Sequence, residues 1–397
     1  MRLGLILSND WEVFGDGSGD YFTVQHRPLE ECLAVAANHG AKMTVMAEVG
    51  QQWGHKALAE KHAWAQEIAD AWEEIVRETI RQGSDVQLHL HPQWLDAHYG
   101  EDGKWDLNLN KWAIGRVNPQ EAEAALRQGR DYLESLLKPV DQEYACHAFR
   151  AGAYCIQPSS AVIDILLKLG FKCDTSVTKG MVDRDFFDYR GAYSNIVPWF
   201  VAPSTDVRYR TQTSQGLLEI PIYSFRMFDS LGTRAVLGNS KARNLFYRLN
   251  FGVSYEQADR RWTTERDRIR AERYPAQNRP FQSPTHKIKA ILSSPRGIAS
   301  AVLWPTSVQL DYDYVPANVA VEGVKRIFKS PVAKQWDDDV IIPLMTSGHV
   351  KNMHNADNLN RILDALNKTF GGRIVHWTLT DAIRYWTQPA HARLLNG

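Results

Sequence analysis

The sequence predicts an α/β fold with a mainly parallel sheet, on two observations. Short apolar runs alternate with amphipathic helical segments through residues 1–180, and the same alternation returns after residue 340. Polar and charged residues directly follow several of the apolar runs. Strands that alternate with helices form parallel sheets, and repeated units can close into a barrel whose chemistry lies at the carboxyl ends of the strands.

Each element follows from its local pattern. Apolar runs predict strands, and apolar residues at helical spacing, bounded by glycine or proline, predict helices. The predicted strands are 3–7, 42–47, 86–90, 145–149, 171–174, 217–223, 340–345 and 373–377, and the predicted helices are 28–38, 61–81, 119–137, 159–169, 255–272, 358–368 and a last one from Thr380. We expect a single domain over residues 1–397, with an insertion of unassigned role at about 181–335.

Composition narrows the class of protein. Lys and Arg total 46, as do Asp and Glu, so the net charge is zero and a general nucleic-acid binder is not expected. The four cysteines form no CxxC pair, which predicts reduced, buried thiols. Residues 231–300 hold 14 Lys and Arg against 5 Asp and Glu. This basic segment is either a site for diphosphate or anionic lipid or a solvated surface.

Targeting signals are not expected in this sequence. The apolar run 3–7 is short for a signal peptide, and polar, acidic residues follow it instead of a small-residue cleavage site. No uninterrupted apolar stretch reaches the roughly 18 residues that predict a transmembrane helix. We therefore expect a cytoplasmic protein without a transmembrane segment.

Two pairs of candidate ligands follow predicted strands. Asp10 and Glu12 lie two residues apart after the first strand, and His89 and His91 lie two apart at the end of the third, so each pair can face one side. Imidazoles that converge with carboxylates bind zinc or another divalent first-row ion. The alternatives are a helix cap for the acids and core packing for the histidines. The shared strand-end position favours a metal site, with zinc the expected ion.

Three further motifs also follow strands. Arg150, in Phe-Arg-Ala-Gly, could clamp a carboxylate with two hydrogen bonds and hold it ionised, or form a surface salt bridge. Asp174 begins an Asp-Thr-Ser motif. His349 ends a Ser-Gly-His motif in which Gly348 is expected to let the backbone turn sharply, and His354 is the alternative histidine.

In order along the chain, these motifs resemble those of the polysaccharide deacetylase family, the NodB-type fold of carbohydrate esterase family 4. The resemblance spans residues 1–180 and 340–385 and implies a deformed (β/α) barrel that binds one metal ion. It implies that Asp10 is the catalytic base and Glu12 a metal ligand. It further implies that Arg150 orients the base and that His349 is the general acid, with Asp174 as its partner.

Two departures from the family pattern leave alternatives. If the family's adjacent acid pair is aligned differently, Asn9 stands in place of the base and Asp10 becomes a metal ligand. The usual His-x-x-x-His pair is also altered, because His89 is followed four residues later by Gln93, with His91 between them. The second ligand is then either a His91 nitrogen or a Gln93 oxygen.

The resemblance implies a metal-dependent hydrolase that removes an acyl group, acetyl in the first instance, from a carbohydrate. A sugar nucleotide, or a lipid-linked glycan reached by peripheral membrane contact, fits a protein without a signal peptide. The alternatives are hydrolysis of a non-sugar amide on the same fold and a catalytically decayed carbohydrate-binding or regulatory protein. Trp53, Trp94, Trp105 and Trp112 suit stacking on sugars, although most tryptophans serve core packing.

Overall fold

The computed structural model describes residues 1–183, 185–227, 306–353 and 355–395. The basic segment 231–300, the helix predicted at 255–272 and His354 lie outside these ranges. Within them, no helix is both long enough and apolar enough to cross a membrane.

Helices and strands alternate in the first part of the chain. They are β1 (Arg2–Trp11), α1 (Arg27–Asn38), β2 (Met43–Glu48), α2 (Val49–Ala59), α3 (Ala63–Arg81), β3 (Asp85–Leu90), β4 (His98–Tyr99), β5 (Trp105–Asp106), α4 (Pro119–Leu137), β6 (Ala148–Ala151), α5 (Ser160–Lys168) and β7 (Cys173–Asp174). The elements after residue 180 are β8 (Val182–Asp183), β9 (Phe187–Asp188), β10 (Trp199–Val201), β11 (Leu217–Glu219), β12 (Ser224–Met227), β13 (Thr306–Gln309), α6 (Ala317–Lys329), α7 (Pro331–Gln335), β14 (Ile341–Met345), α8 (Asp357–Phe370), β15 (Ile374–His376), α9 (Leu379–Trp386) and α10 (Pro389–Leu394).

Within the described residues, nine strands form one sheet that closes into a barrel. Their order is β10-β11-β7-β6-β3-β2-β1-β14, and β15 also pairs with β1. All neighbours are parallel except β10 and β11. The chain that leaves β11 reaches β14, where Ile222 bridges Met345 in parallel and the Tyr223 N–H donates to the Met345 carbonyl at 2.9 Å. The predicted deformed (β/α) barrel is therefore confirmed.

Apolar packing explains why these segments form a barrel. Every residue of β2 and β3 is buried, as expected for parallel strands covered by helices. Helix α4 begins at Pro119, and the Asn118 side chain caps it by accepting from Gln120 N. Gly129 lets α4 approach β3, because a Cβ at that position would lie 2.7 Å from Leu88.

The helix predicted at 61–81 is confirmed as α3, but the sequence analysis missed the helix before it, α2. Helix α2 follows β2 directly, and the Glu48 side chain caps it by accepting from Gly50 N at 2.7 Å. Its buried face carries Gln51, Gln52 and His55. A polar buried face gives no apolar periodicity, so the sequence pattern did not reveal this helix.

Part of the range 181–335, in which an insertion is expected, belongs to the barrel. Residues 217–219 form β11, and Ile222 makes the isolated bridge to Met345 that joins this segment to β14. Residues 306–311 also join this region, since Asp311 bridges Ser347 in parallel just beyond β14.

Candidate metal centre and acid–base site

Four buried side chains meet at the carboxyl ends of β1, β2 and β3. Glu12, Glu48, His89 and His91 each offer a ligand atom, and these atoms lie within 4.8 Å of one another. Glu12 Oε2 is 2.5 Å from His91 Nε2 and 3.7 Å from His89 Nε2. The cluster can therefore hold a metal ion. Asp10, predicted as a further ligand, is not one of the four.

His89 is held in the tautomer that a metal ligand needs. Its Nδ1 lies 3.0 Å from the Arg150 carbonyl, which can only accept, so Nδ1 carries the hydrogen. Its Nε2 has no hydrogen-bond partner among the described residues. A backbone carbonyl behind the imidazole is the usual support of a metal-binding histidine, and it leaves the Nε2 lone pair facing the carboxylates.

His91, and not Gln93, belongs to the cluster. The Gln93 amide lies behind the ring, 2.9 Å from His91 Nδ1. In the described part of the chain, neither His91 Nε2 nor Gln93 Oε1 makes a hydrogen bond, although His91 Nε2 lies close to Glu12 Oε2. An amide turned to accept from Nδ1–H would satisfy Gln93 Oε1 and leave His91 Nε2 with its lone pair. Of the two alternatives for the second ligand, the geometry favours the His91 nitrogen.

The acidic side chains of the cluster favour a positive charge between them. Burial raises the pKa of Glu12, but His91 and Lys351 hold it well below its usual value. Burial likewise lowers the pKa of His89, yet the nearby carboxylates raise it above normal. Burial raises the pKa of Glu48 to about 8. Burial lowers the pKa of His91, against the opposing attraction of Glu12.

Asp10 lies beside the cluster and is paired with Arg150, so of the two alternatives for this arginine the geometry favours a bond to a buried carboxylate over a surface salt bridge. The Arg150 guanidinium donates to Asp10 Oδ1 through Nη1, to Ser8 Oγ at 2.9 Å and to the Thr175 carbonyl at 3.0 Å. It thus gives Asp10 one hydrogen bond instead of the two expected. Burial alone would raise the pKa of Asp10, but the charges of Arg150, His89 and His349 lower it. Asp10 is therefore a carboxylate at neutral pH.

His349 faces Asp10 across the barrel end. Its Nε2 is 3.5 Å from Asp10 Oδ2 and 3.3 Å from the Tyr154 hydroxyl. Its Nδ1 is 3.1 Å from Asp311 Oδ2, so Nδ1–H donates to that carboxylate. Burial lowers the pKa of His349, but the hydrogen bond that the ring donates to Asp311 and the negative charge of Asp311 outweigh this effect, so the pKa is raised.

The carboxylate at His349 is Asp311, which corrects the expectation for Asp174. The Asp174 oxygens accept from Ser176 N at 3.1 Å and from Ser176 Oγ at 2.8 Å. Burial raises the pKa of Asp174 and, strongly, that of the neighbouring Glu219. Asp174 and Glu219 are thus a buried carboxyl pair on β7 and β11, away from the imidazole.

Gly348 is required for a different reason than the expected sharp turn. A Cβ on Gly348 would lie 2.0 Å from the Tyr312 ring. Tyr312 also accepts a hydrogen bond from Asn9 Nδ2 at 2.6 Å. Asn9 therefore contacts Tyr312 and not the metal cluster, which disfavours the alignment that puts Asn9 in place of the base.

Sequence reasoning missed Glu48, Asp311 and Lys351. Glu48 is the last residue of β2 and lies in register with His89, so its signal was an acid one residue past a predicted strand. Lys351 Nζ donates to Glu12 Oε1 at 2.5 Å, and its signal was its closeness to His349 in sequence. Asp311 carried no usable signal, because its approach to His349 depends on a pairing with Ser347.

The chain was compared with known proteins. No protein-family model matches it, and no curated protein does. A Mycobacterium smegmatis protein described as a polysaccharide deacetylase is 9% identical, with a TM-score of 0.40 over 97% of this chain and 90% of that one. Puue allantoinase is 10% identical, with a TM-score of 0.44 over 98% and 92%. A Pseudomonas aeruginosa PAO1 protein described as a polysaccharide deacetylase is 10% identical, with a TM-score of 0.43 over 98% and 92%. These values concern the fold alone, and the activity is argued from the site.

Proposed function

We propose that this protein is a metal-dependent hydrolase that removes an acyl group, acetyl in the first instance, from a carbohydrate. The observation that carries the proposal is that the buried Nε2 atoms of His89 and His91 converge on Glu12 Oε2, at 3.7 and 2.5 Å, while neither nitrogen has hydrogen-bond geometry to any of the described residues. A buried polar atom without a partner is unfavourable, and a metal ion would satisfy both nitrogens.

The residues present fit a catalytic zinc site. Glu12, His89 and His91 are a two-histidine, one-carboxylate donor set that leaves a fourth position for substrate or water. Glu48 fits a supporting role, because its two oxygens already accept from Gly50 N and His91 N, each at 2.7 Å. When bound, the ion would polarise the acyl carbonyl oxygen and lower the pKa of a water molecule beside it.

The second group of side chains supplies the proton transfers. Asp10, kept ionised by Arg150, accepts the proton of the water that attacks the acyl carbon. As the bond from that carbon to nitrogen or oxygen breaks, His349 Nε2 donates a proton to the leaving atom. Asp311 holds the His349 ring and favours its protonated form, so a base and an acid with separated pKa values face one another.

Two substrate classes follow from the sequence, a sugar nucleotide and a lipid-linked glycan. A non-sugar amide would undergo the same chemistry and is the second candidate. The position of Gln93 behind His91 supports an intact ligand set, which weakens the alternative of a decayed site.

Acyl release from a panel of acetylated sugar nucleotides, acetylated oligosaccharides and simple amides tests the proposal. We expect acetate from a carbohydrate member, loss of activity after chelation and recovery with added zinc. His89→Ala should lower metal content well below one per chain. His147 directly precedes β6, at the amino end of the strand and away from the cluster, so His147→Ala should keep the metal. Chelator-insensitive release, or no release from any carbohydrate member, would contradict the proposal.

A further inference from the structure

A cavity of about 570 Å³ lies beside the metal cluster. Its volume is in the range of small-molecule sites, roughly 300–1,000 Å³. Val13 lines it and directly follows Glu12. Lys351 Nζ contacts both Glu12 Oε1, at 2.5 Å, and the Val13 carbonyl, at 3.4 Å. The cavity and the candidate metal site therefore share one stretch of backbone.

Aromatic rings form one wall of this cavity. The Trp64 and Tyr99 rings are 5.0 Å apart between centroids, Tyr99 and Trp105 are 5.2 Å apart, and His55 and Trp105 are 5.5 Å apart. Trp64, Tyr99 and Trp105 are partly exposed. These rings offer flat apolar faces to a ligand.

Two glycines fix the position of Trp105. A Cβ on Gly17 would lie 2.7 Å from the Trp105 side chain, and a Cβ on Gly54 would lie 3.0 Å from its ring. Gly17 also has a φ of +81°, a conformation that other residues rarely adopt. The ring is therefore held in a slot between the 13–20 loop and helix α2, and its orientation does not depend on a ligand.

The charge of the lining selects the kind of ligand. Asp16, Asp20 and Asp106 line the cavity, and Lys104 is the one Lys or Arg among the lining residues. Burial lowers the pKa of His55 to about 4, so its imidazole is neutral at physiological pH. Its buried Nδ1 has no hydrogen-bond partner among the described residues. The net negative lining repels phosphate and sulfate, while its carboxylates can accept hydrogen bonds from hydroxyl groups.

We propose that this cavity binds a neutral sugar residue of the substrate, next to the residue that loses its acyl group. Aromatic faces for the ring C–H groups and carboxylates for the hydroxyls are the two features that recognise a sugar. The inference rests on the proposed function and sharpens it, because it makes the substrate an oligosaccharide rather than a single sugar on a nucleotide.

Calorimetric binding to protein carrying Asp10→Asn, in which turnover should be blocked, tests the inference separately from catalysis. The probes are neutral tetrasaccharides of β-1,4-glucose, β-1,4-N-acetylglucosamine and α-1,4-glucose, a sulfated heparin tetrasaccharide and tetramethylammonium. We expect at least one neutral tetrasaccharide to bind and the sulfated one not to bind. Trp64→Ala should weaken that binding by roughly 10-fold or more, as for an aromatic side chain that a bound ligand covers.

Two further variants keep the result interpretable. Tyr209→Ala removes an exposed aromatic ring that does not line the cavity and should leave the affinity unchanged. Trp64→Phe retains an aromatic face and should recover much of the affinity, which separates stacking from a folding defect. Binding that is indifferent to Trp64→Ala, or binding of tetramethylammonium without any tetrasaccharide, overturns the inference.

Failure of this inference can be distinguished from failure of the proposed hydrolase activity. Sugar binding that depends on Trp64, without acyl release by the unmodified protein, would support the sugar site and contradict the proposed hydrolase activity. Acyl release that is equally fast on single sugars and oligosaccharides, with no effect of Trp64→Ala, would support the hydrolase activity and contradict the sugar site.

Discussion

Two groups of side chains share the carboxyl end of the barrel and differ in how their polar atoms are satisfied. In the group of Glu12, His89 and His91, two imidazole Nε2 atoms make no hydrogen bond within the described residues. In the group of Asp10, Arg150, His349 and Asp311, the acids, the guanidinium and the imidazole are bonded to one another or to their neighbours.

The difference separates two tasks. Buried polar groups in native proteins are almost always paired, so the unpaired nitrogens indicate a partner from outside the chain, which a cation would be. The second group needs no such partner, although Asp311, Asp313 and His349 also bring ligand atoms within 4.8 Å of one another. Its hydrogen bonds are those of a base and an acid held in defined protonation states.

Asp10→Asn should give the largest separation between the two groups. We expect kcat to fall by about 10²–10⁴, the usual effect of losing a general base. Metal content should remain near one per chain. Arg150 keeps Ser8 and Thr175 as acceptors, so the fold should survive, which thermal unfolding checks. Glu12→Gln is the matched variant on the other side and should lose metal. The reverse pattern would exchange the two roles.

His349→Ala tests the acid with two substrates. An amide or alkoxide leaving group needs a proton, so kcat should fall by about 10²–10⁴ on the acylated sugar. The loss should be much smaller on p-nitrophenyl acetate, whose leaving group departs as an anion. Equal losses on both substrates, with metal retained, would rule out His349 as the acid.

Asp311→Asn should move the pH profile of kcat/KM. Asp311 raises the pKa of His349, and a general acid must be protonated, so activity is lost as pH rises through that pKa. Removing the carboxylate lowers the pKa, and the alkaline limb should shift to lower pH by roughly one unit, the size of one charged hydrogen bond. Asp174→Asn is the control and should leave the limb in place. A shift caused by Asp174→Asn instead would indicate that Asp174 is the partner of His349, as first expected.

Gln93→Leu should have the smallest effect, confined to the metal group. The amide orients His91, and loss of such a support lowers metal affinity by about 10–100-fold. Gln52→Leu is a matched control, because Gln52 is equally buried but bonds to Ala69 and Tyr132. Competition with a zinc-binding dye measures both. Unchanged affinity in Gln93→Leu would leave Gln93 without a role at the metal.

The sequence predicted the site best where parallel strands bring their ends together. Asp10, Glu12, His89 and His91 could be grouped because each lies at or just beyond the carboxyl end of a strand of the same sheet, and Arg150 because it lies near the end of β6. Local patterns could not reveal which carboxylate reaches His349, since Asp311 is brought there by a bridge between residues 36 positions apart in the numbering.

The fold shows the same limit. Strands β2 and β3 have apolar runs and were predicted to within one residue at each end, whereas β1 continues four residues beyond the predicted 3–7, through polar residues, to Trp11. Helix α2 was missed because its buried face is polar, and that face supports the cavity that His55 and Gln51 line. The polar residues that line the cavity interrupt the apolar periodicity from which helices were predicted.

Anomalous diffraction at the zinc edge, from crystals of protein loaded with one equivalent of zinc, tests the central claim most directly. The account predicts one peak bonded to Glu12, His89 and His91, with Asp10 and His349 on its open side and outside bonding distance. A single peak between Asp311, Asp313 and His349 would contradict it. So would a fully occupied zinc peak at any other site, with none at His89 and His91.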